Sequence, residues 1–370
     1  MIPARSMSNR LHVLLALLLI LAGVCANGLI AWANRGNWDS DFNQYYAAGR
    51  LVGSGHLYDW DAIRKEGPHG TVIPFGRLPV FAAAFKPLTL LPYATARLVW
   101  FCLRLAVWAA FPLLWPVKSR LWTWAAMAWS GPAAMCLAFG QDSMFFLFFV
   151  ALGVSLLLRH RNFTAGLVLS LCASKPHLAL ALPVLLLARR NWRALAGGMA
   201  GGALLLAIST AVEGPQWLSR LLILSRLPIF DPAGERMPNL RGLLSPLHLG
   251  LGAEITLGMI ALAATYYLCR RVPIETGAAL ALALAVGLWA GHHSYSYDCL
   301  LLLPVLLLPF EWPLPGPLRE WAALLLTPIP YFLLLGDSPG WGALLVAGYT
   351  PALLCGLIYR ELAAKPARVG

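Results

Sequence analysis

Residues 11–33 read LHVLLALLLILAGVCANGLIAWA, an apolar run without a single Asp, Glu, Lys or Arg. About 20 consecutive apolar residues suffice for a helix to cross a bilayer, so this run predicts a first membrane span. It follows Arg5 and Arg10, it is longer than the apolar core of a signal peptide, and it has no clear small-residue cleavage site. We therefore expect a span that is not removed.

The composition extends this prediction to the whole chain. Of its 370 residues, 59% are hydrophobic and 12% charged, whereas a typical soluble domain is about 45–50% apolar and about 25% charged. The seven cysteines form no CxxC pair, which argues against a disulfide framework and a zinc knuckle. A soluble enzyme, a disordered chain and a disulfide-stapled domain are excluded. An all-α polytopic membrane protein is predicted.

Similar apolar runs recur along the chain and predict about twelve transmembrane or re-entrant helices. They lie at 11–33, 94–115, 121–139, 143–158, 163–174, 177–188, 194–212, 249–268, 276–291, 297–310, 321–335 and 341–359. Because no repeat or low-complexity segment interrupts them, residues 1–370 are read as a single membrane domain.

The net charge of +12 is explained by topology. Basic residues are grouped in alternate connectors, as at 118–120, 159–161, 189–193 and 270–271. The short connectors between them contain a single basic residue, Lys175. We expect the protein to lie in the plasma (inner) membrane. The positive-inside rule then places both termini in the cytoplasm. The two long connectors, 34–93 and 213–248, become extracytoplasmic loops. No aromatic–basic motif points to nucleic acid as a partner.

Residues 163–188 lie between two basic groups but are too few for two full crossings, which need about 40 residues. A short hairpin keeps the charge pattern, whereas a single crossing would invert it. The tip of this hairpin, Lys175-Pro176, would lie below the outer surface. Short helices that end at this depth leave room for a cavity open to the outside.

Ionisable groups at membrane depth are costly and are therefore functional candidates. Polar side chains of this kind are concentrated at the predicted outer ends of the spans. Any one of them could be an ordinary loop residue, but that explanation is weaker for the whole set. The set is Asp41, Gln141, Asp142, Lys175, His177, Arg241, His292, His293 and Asp298.

Asp41 begins the segment DFNQYYAAG, just outside the first span. Asp41 or Ser40 could simply cap the helix that follows, and Tyr45 and Tyr46 would also suit a membrane interface. The functional interpretation is that Asp41 is a general base just outside the first span, and capping alone would not need the pair Tyr45 and Tyr46.

Lys175 lies in an apolar hairpin with no carboxylate nearby in sequence. A buried ammonium needs an anion, and either a bound phosphate or a carboxylate from another helix would serve. Alternatively, the Lys175 side chain could extend to the membrane surface and keep its ammonium in water. The segment HHSYSYD at 292–298 supplies imidazole and hydroxyl groups suited to a phosphate or sugar, without the HExxH spacing of a zinc site. Asp298 could be only a helix cap, and Arg241 either a phosphate ligand or an interfacial Arg.

At these residues the sequence resembles glycosyltransferase family 87, a GT-C type family of polyprenyl-phosphate-sugar-dependent transferases that includes bacterial mannosyltransferases. The resemblance spans about residues 38–300 and is carried by four ordered stretches. They are Asp41-Phe42 with Tyr45-Tyr46-Ala47-Ala48-Gly49 and Gly55 to Asp59; Pro79-Val80-Phe81 with Lys86-Pro87-Leu88 and Leu91-Pro92; Gly140-Gln141-Asp142 with Gly166 and Lys175-Pro176; and His293 with Tyr297-Asp298.

Three positions depart from the family pattern. Arg77-Leu78 replaces an aromatic–proline pair, His292 replaces a common proline, and Tyr295 replaces a common second histidine. These departures affect the identity of the sugar and of the acceptor, with arabinofuranose an alternative to mannose.

The resemblance implies a GT-C type fold that uses a polyprenyl-phosphate sugar, mannose first among the candidates, on the extracytoplasmic face. Its acceptor would be a hydroxyl of a glycolipid or glycan, with membrane lipid as the surrounding partner. Asp41 would be the catalytic base of an inverting transfer, and Lys175, His293 and Arg241 would bind the donor phosphate. Substrate contacts are expected from Tyr45, Gln141, Asp142, His292, Tyr297 and Asp298.

Because the leaving phosphate is already anionic, the chemistry requires no metal or other cofactor, although Asp41 and Asp142 could contribute to a metal site. Two other functions remain open from the residues. A transporter or flippase for an anionic lipid-linked substrate would use the same cationic groups but would need polar groups at both faces. A membrane ligase or phosphotransferase would share the anion site without depending on Asp41.

Overall fold

The structure is a computed structural model that describes residues 4–33, 40–68, 73–227, 234–312, 314–336 and 339–364. No strand occurs among these residues, as predicted for an all-α protein. The described α-helices, numbered α1 to α19 in chain order, are Ala4–Ala33, Ser40–Leu51, Trp60–Glu66, Pro79–Phe85, Tyr93–Leu114, Arg120–Ala128, Gly131–Phe139, Ser143–Leu158, Asn162–Ser170, Ala181–Ala188, Trp192–Glu213, Trp217–Leu224, Leu240–Leu244, Leu251–Arg271, Thr276–Ala290, Leu303–Glu311, Gly316–Leu325, Ile329–Leu335 and Pro339–Ala364. The 3₁₀ segments are Lys86–Leu90, Leu171–Ser174, Pro176–Leu178, Gly234–Arg236, Ser245–Leu247 and Ser296–Leu302.

Five helices of the described chain are long and apolar enough to cross a membrane, within α1, α5, α11, α14 and α19. A sixth span results if α17 and α18, which meet at a bend of 60°, count as one. The predicted count of about twelve is therefore not confirmed. Several of the remaining apolar runs form shorter helices, among them α8, α15 and the segment 162–174, and the connector 34–93 contributes another at 79–90.

One predicted run is broken for a clear local reason. The run 121–139 divides into α6 and α7, because Pro132 in the first turn of α7 has no N–H with which a helix could continue. The Ser130 side chain accepts a hydrogen bond from the backbone N–H of Ala133 at 3.3 Å and so caps the new helix. The break lets α7 end at Gly140, which has a φ of +80° and starts the segment that carries Gln141 and Asp142.

The hairpin predicted for residues 163–188 is present. Asn191 Nδ2 donates to Asn162 Oδ1 at 3.4 Å, so the chain leaves and returns at the same end. Its tip packs on α15, a helix whose residues from Gly277 to Trp289 are all buried. A Cβ atom at Gly287 would lie 2.2 Å from the carbonyl oxygen of Leu178, so glycine is needed where the tip meets α15. This contact fixes the position of the tip, and with it Lys175, against α15.

The two long connectors pack against each other at one end of the molecule. The buried carboxylate of Glu213, at the end of α11, accepts hydrogen bonds from the backbone N–H groups of Gly53 at 2.8 Å and Leu57 at 3.4 Å. Arg220 of α12 donates to the carbonyl oxygen of Gly55 at 2.6 Å. These contacts bring the two connectors together, and their side of the membrane stays a prediction. The ends of the chain, 1–3 and 365–370, lie outside the described residues.

Helices α9 and α11 pack closely enough that side chains are excluded at their crossing. A Cβ atom at Gly197 would lie 2.0 Å from the carbonyl oxygen of Phe163, whereas one at Gly202, on the same helix, would meet nothing within 4 Å. Interfaces built on small residues of this kind are common between membrane helices.

We expect Gly197→Ala to destabilise the protein by roughly 1–3 kcal/mol, because the added methyl group must push the two backbones apart. Gly202→Ala is the matched control and should leave stability nearly unchanged. The measurement is thermal unfolding in detergent, followed by circular dichroism. Equal unfolding temperatures for the two variants would contradict the close packing of α9 on α11.

Candidate functional site

A cavity of about 1160 Å³ lies where the hairpin tip, the loop after α15 and the beginning of α2 meet. Most of the residues predicted as a site line it, although they come from distant parts of the sequence. Those in its wall are Asp41, Gln141, Lys175, Arg241, His292, His293, Tyr297 and Asp298. The remaining two, Tyr45 and Asp142, are buried directly behind the wall, where they contact Gln141 and Lys175.

Asp41 lies in the first turn of α2 and is 4% exposed. Its carboxylate accepts a hydrogen bond from Gln44 Nε2 at 2.9 Å, and the side chain of Gln141 lies close enough to influence it. Burial raises the pKa of Asp41 to about 6, although Gln141 and the charges of Arg77 and Lys175 oppose the rise. A carboxylate with this pKa can accept a proton near neutral pH, as a general base must.

Gln141 connects Asp41 to the rest of the site. Its Oε1 accepts hydrogen bonds from the hydroxyl of Tyr45 at 3.3 Å and from Lys175 Nζ at 3.3 Å. Gly140, whose carbonyl oxygen accepts a hydrogen bond from the indole of Trp100 at 2.8 Å, holds this segment in place. The single amide side chain therefore brings the predicted base and the predicted cation to one point.

Lys175 has carboxylate partners from other helices, which was one of the possibilities left open by the sequence. Its ammonium is 2.6 Å from Asp298 Oδ1 and 3.5 Å from Asp142 Oδ1, and it donates to the hydroxyl of Ser143 at 2.8 Å. That hydroxyl donates in turn to Asp298 Oδ1 at 2.7 Å. Asp298 also accepts the backbone N–H of Tyr295 at 3.1 Å, so it caps its helix and pairs with Lys175 at once.

Arg77 belongs to this network and was missed as a functional candidate. Its guanidinium forms two parallel hydrogen bonds to Asp142, at 3.0 and 2.8 Å, and lies 4.7 Å from the ring centre of Tyr45. Burial alone would raise the pKa of Asp142, but Arg77 and Lys175 hold it below its ordinary value. The available signal was a lone cation in the apolar stretch IPFGRLPV at 73–80, interpreted only as a departure from a family pattern.

Aromatic side chains cover another part of the wall. The ring of Tyr297 lies 5.0 Å from Lys175 Nζ and is stacked with that of Tyr295 at 5.2 Å. The imidazole of His293 lies between Tyr295 and His177, with ring centres 5.6 and 4.8 Å away. Burial lowers the pKa of His293, so at neutral pH its imidazole offers a hydrogen bond rather than a charge.

Arg241 and His292 form a separate pair in the same cavity. The guanidinium of Arg241 lies 3.3 Å from His292 Nε2, and His292 Nδ1 lies 2.8 Å from the carboxylate of Glu254. Glu254, in the first turn of α14, also lines the cavity and was not predicted as a site residue. Within the described residues, no group of three or more His, Cys, Asp or Glu side chains is placed to hold a metal ion.

The arrangement combines a buried carboxylate, a paired network of cations and carboxylates, and neutral hydrogen-bonding rings around a space large enough for a sugar and a phosphate. The family model described as glycosyltransferase family 87 matches residues 79–309. Eight of the predicted site residues fall within that segment, and Asp41 and Tyr45 precede it. No curated protein and no solved structure matches the chain.

Proposed function

Because this chain belongs to glycosyltransferase family 87, we propose that it transfers a sugar from a polyprenyl-phosphate donor to a hydroxyl of a lipid or glycan on the extracytoplasmic face of the plasma membrane, with both termini in the cytoplasm. Mannose is the first candidate for the sugar. The observation that carries the proposal is the shared cavity, in which Asp41 lies with Lys175, His293 and Arg241. One wall would accept a proton while another would hold a phosphate.

The proposed reaction is a single displacement with inversion at the anomeric carbon. The acceptor oxygen attacks that carbon as its proton passes to Asp41, and the bond between the carbon and the phosphate oxygen breaks. The leaving polyprenyl phosphate takes the bonding electrons and remains an anion, so no acid has to protonate it. No step needs a metal ion or another cofactor.

Stabilisation of the leaving phosphate is assigned to Lys175, Arg241 and His293. The first two supply positive charge and hydrogen-bond donors, and His293 supplies a neutral N–H. Contacts to the sugar and the acceptor are assigned to a further set. These residues are Tyr45, Gln141, Asp142, His292, Tyr297 and Asp298.

The test is incubation of membranes that contain the protein with radiolabelled polyprenyl-phosphate sugars, followed by analysis of lipids and glycans. We expect label from one of these donors, mannose first, to pass to a lipid or glycan product only when the protein is present. Membranes without the protein are the control. Movement of intact donor across the bilayer, without release of polyprenyl phosphate, would support a flippase instead and would contradict the transferase.

A further inference from the structure

A buried carboxylate lies in the cavity without a role in the proposed reaction. Glu254, whose side chain is 9% exposed, pairs with His292, whose side chain is 57% exposed. Nδ1 of the imidazole lies 2.8 Å from Glu254 Oε1, and Nε2 lies 3.3 Å from a terminal nitrogen of Arg241. The three side chains form a line from the buried carboxylate to a guanidinium in the cavity wall.

The backbone holds this line at fixed spacing. Asn239, which is fully buried, donates from Nδ2 to the carbonyl oxygen of Gly291 at 2.7 Å, next to His292. Its Oδ1 accepts the N–H of Gly242 at 3.2 Å, next to Arg241. A Cβ atom at Gly242 would lie 1.8 Å from the carbonyl oxygen of Met237, so α13 also lies tightly against the chain before it.

The donors and acceptors along the line determine the tautomer of His292. A carboxylate only accepts hydrogen bonds, so Nδ1 carries a proton and donates to Glu254. A guanidinium only donates, so Nε2 must offer its lone pair to Arg241. Both ring nitrogens of His292 are then engaged, Nδ1 with Glu254 and Nε2 with Arg241.

We propose that Glu254 is a positioning residue that acts through His292 to hold the guanidinium of Arg241 toward the donor phosphate. This role rests on the proposed function, and it gives His292, beside its assigned substrate contact, the role of a connecting group between Glu254 and Arg241.

Whether phosphate binding becomes tighter or weaker when Glu254 is replaced distinguishes this positioning role from a simple charge effect. A carboxylate in the wall of an anion-binding cavity repels phosphate, so its removal should tighten phosphate binding by charge alone. If Glu254 orients Arg241 instead, its loss should weaken binding although the cavity becomes more positive. Glu254→Leu removes both charge and acceptor, while Glu254→Gln removes the charge and keeps an oxygen that can accept from Nδ1.

The experiment measures binding of polyprenyl phosphate to the purified full-length protein, and separately the KM for the donor and kcat. We expect Glu254→Leu and His292→Phe each to weaken binding about tenfold, the value of one hydrogen bond to a charged group, and to raise KM with little change in kcat. Glu254→Gln should stay within about threefold of wild type, which is under 1 kcal/mol. The double variant Glu254→Leu/His292→Phe should be no weaker than either single variant, since all three break the same connection.

Unchanged or tighter binding in Glu254→Leu, in protein with a normal unfolding temperature, would overturn the positioning role and leave the proposed function intact. Equal loss in Glu254→Leu and Glu254→Gln would also overturn it, because an oxygen at position 254 that accepts from His292 Nδ1 would then make no difference. If folded wild-type protein binds no polyprenyl phosphate, the proposed donor is wrong, and the role of Glu254 falls with it.

Discussion

Replacement of Asp41 by Asn is expected to reduce sugar transfer by about 10²- to 10⁴-fold, the range that a positioned general base contributes. Asn has nearly the same shape and keeps an oxygen that can accept the hydrogen bond from Gln44 Nε2, which lies 2.9 Å from Asp41 Oδ1. It cannot take the acceptor's proton. The fold and the affinity for the donor should therefore be preserved while kcat falls, measured with a radiolabelled polyprenyl-phosphate sugar.

Asp59→Asn is the matched control for this variant. Asp59 belongs to the same long connector and caps α3 through the N–H groups of Asp61 and Ala62, a task that Asn performs equally well. Its activity should equal that of wild type. Turnover in Asp41→Asn within a few-fold of wild type would exclude Asp41 as the base.

The pH dependence gives an independent check on the same carboxylate. Since burial raises the pKa of Asp41 to about 6, the base is increasingly protonated below that pH and kcat should fall there. An ordinary exposed aspartate would keep its activity to about pH 4. A rate that stays constant from about pH 8 down to about pH 4.5, in protein that remains folded, would contradict the assignment.

The sequence predicted those parts of the structure that depend on local length and charge. The 26 residues of 163–188 are too few for two crossings, and that count predicted the hairpin whose ends meet at Asn162 and Asn191. The cost of an ion at membrane depth made Lys175 a candidate before its neighbours were known. The sequence placed residues 41, 141, 175 and 293 at the same predicted ends of the helices. The structure brings all four into one cavity.

Long-range partners could not be predicted in this way. The partner of Lys175, Asp298, lies more than a hundred positions away, and sequence spacing says nothing about which helices touch. Arg77 was overlooked because one basic residue in a long connector has many possible explanations. The division of 121–139 into two helices depends on Pro132, whose effect is local, but apolar composition alone describes one continuous run.

Removal of the Lys175 ammonium should affect stability as well as activity. Asp298 is 1% exposed and lies 2.6 Å from Lys175 Nζ, so Lys175→Met leaves a buried carboxylate without its counter-charge. Breaking a buried pair in this way costs about 3–5 kcal/mol. We expect a large fall in the unfolding temperature in detergent and no measurable sugar transfer. Lys65→Met, at an exposed position of α3, is the control and should change stability by no more than about 0.5 kcal/mol.

The double variant Lys175→Met/Asp298→Asn separates the two functions of the ammonium. It removes both charges, and the new amide oxygen can still accept the N–H of Tyr295, which Asp298 does at 3.1 Å in the native protein. Asp142 keeps its two hydrogen bonds from Arg77. The unfolding temperature should therefore recover toward wild type, a positive coupling expected of groups in direct contact.

If Lys175 also binds the leaving phosphate, sugar transfer stays lost although the fold is restored. Recovery of activity together with stability would show that the lysine serves only to neutralise Asp298, and the phosphate would then have to be held by Arg241 and His293 alone.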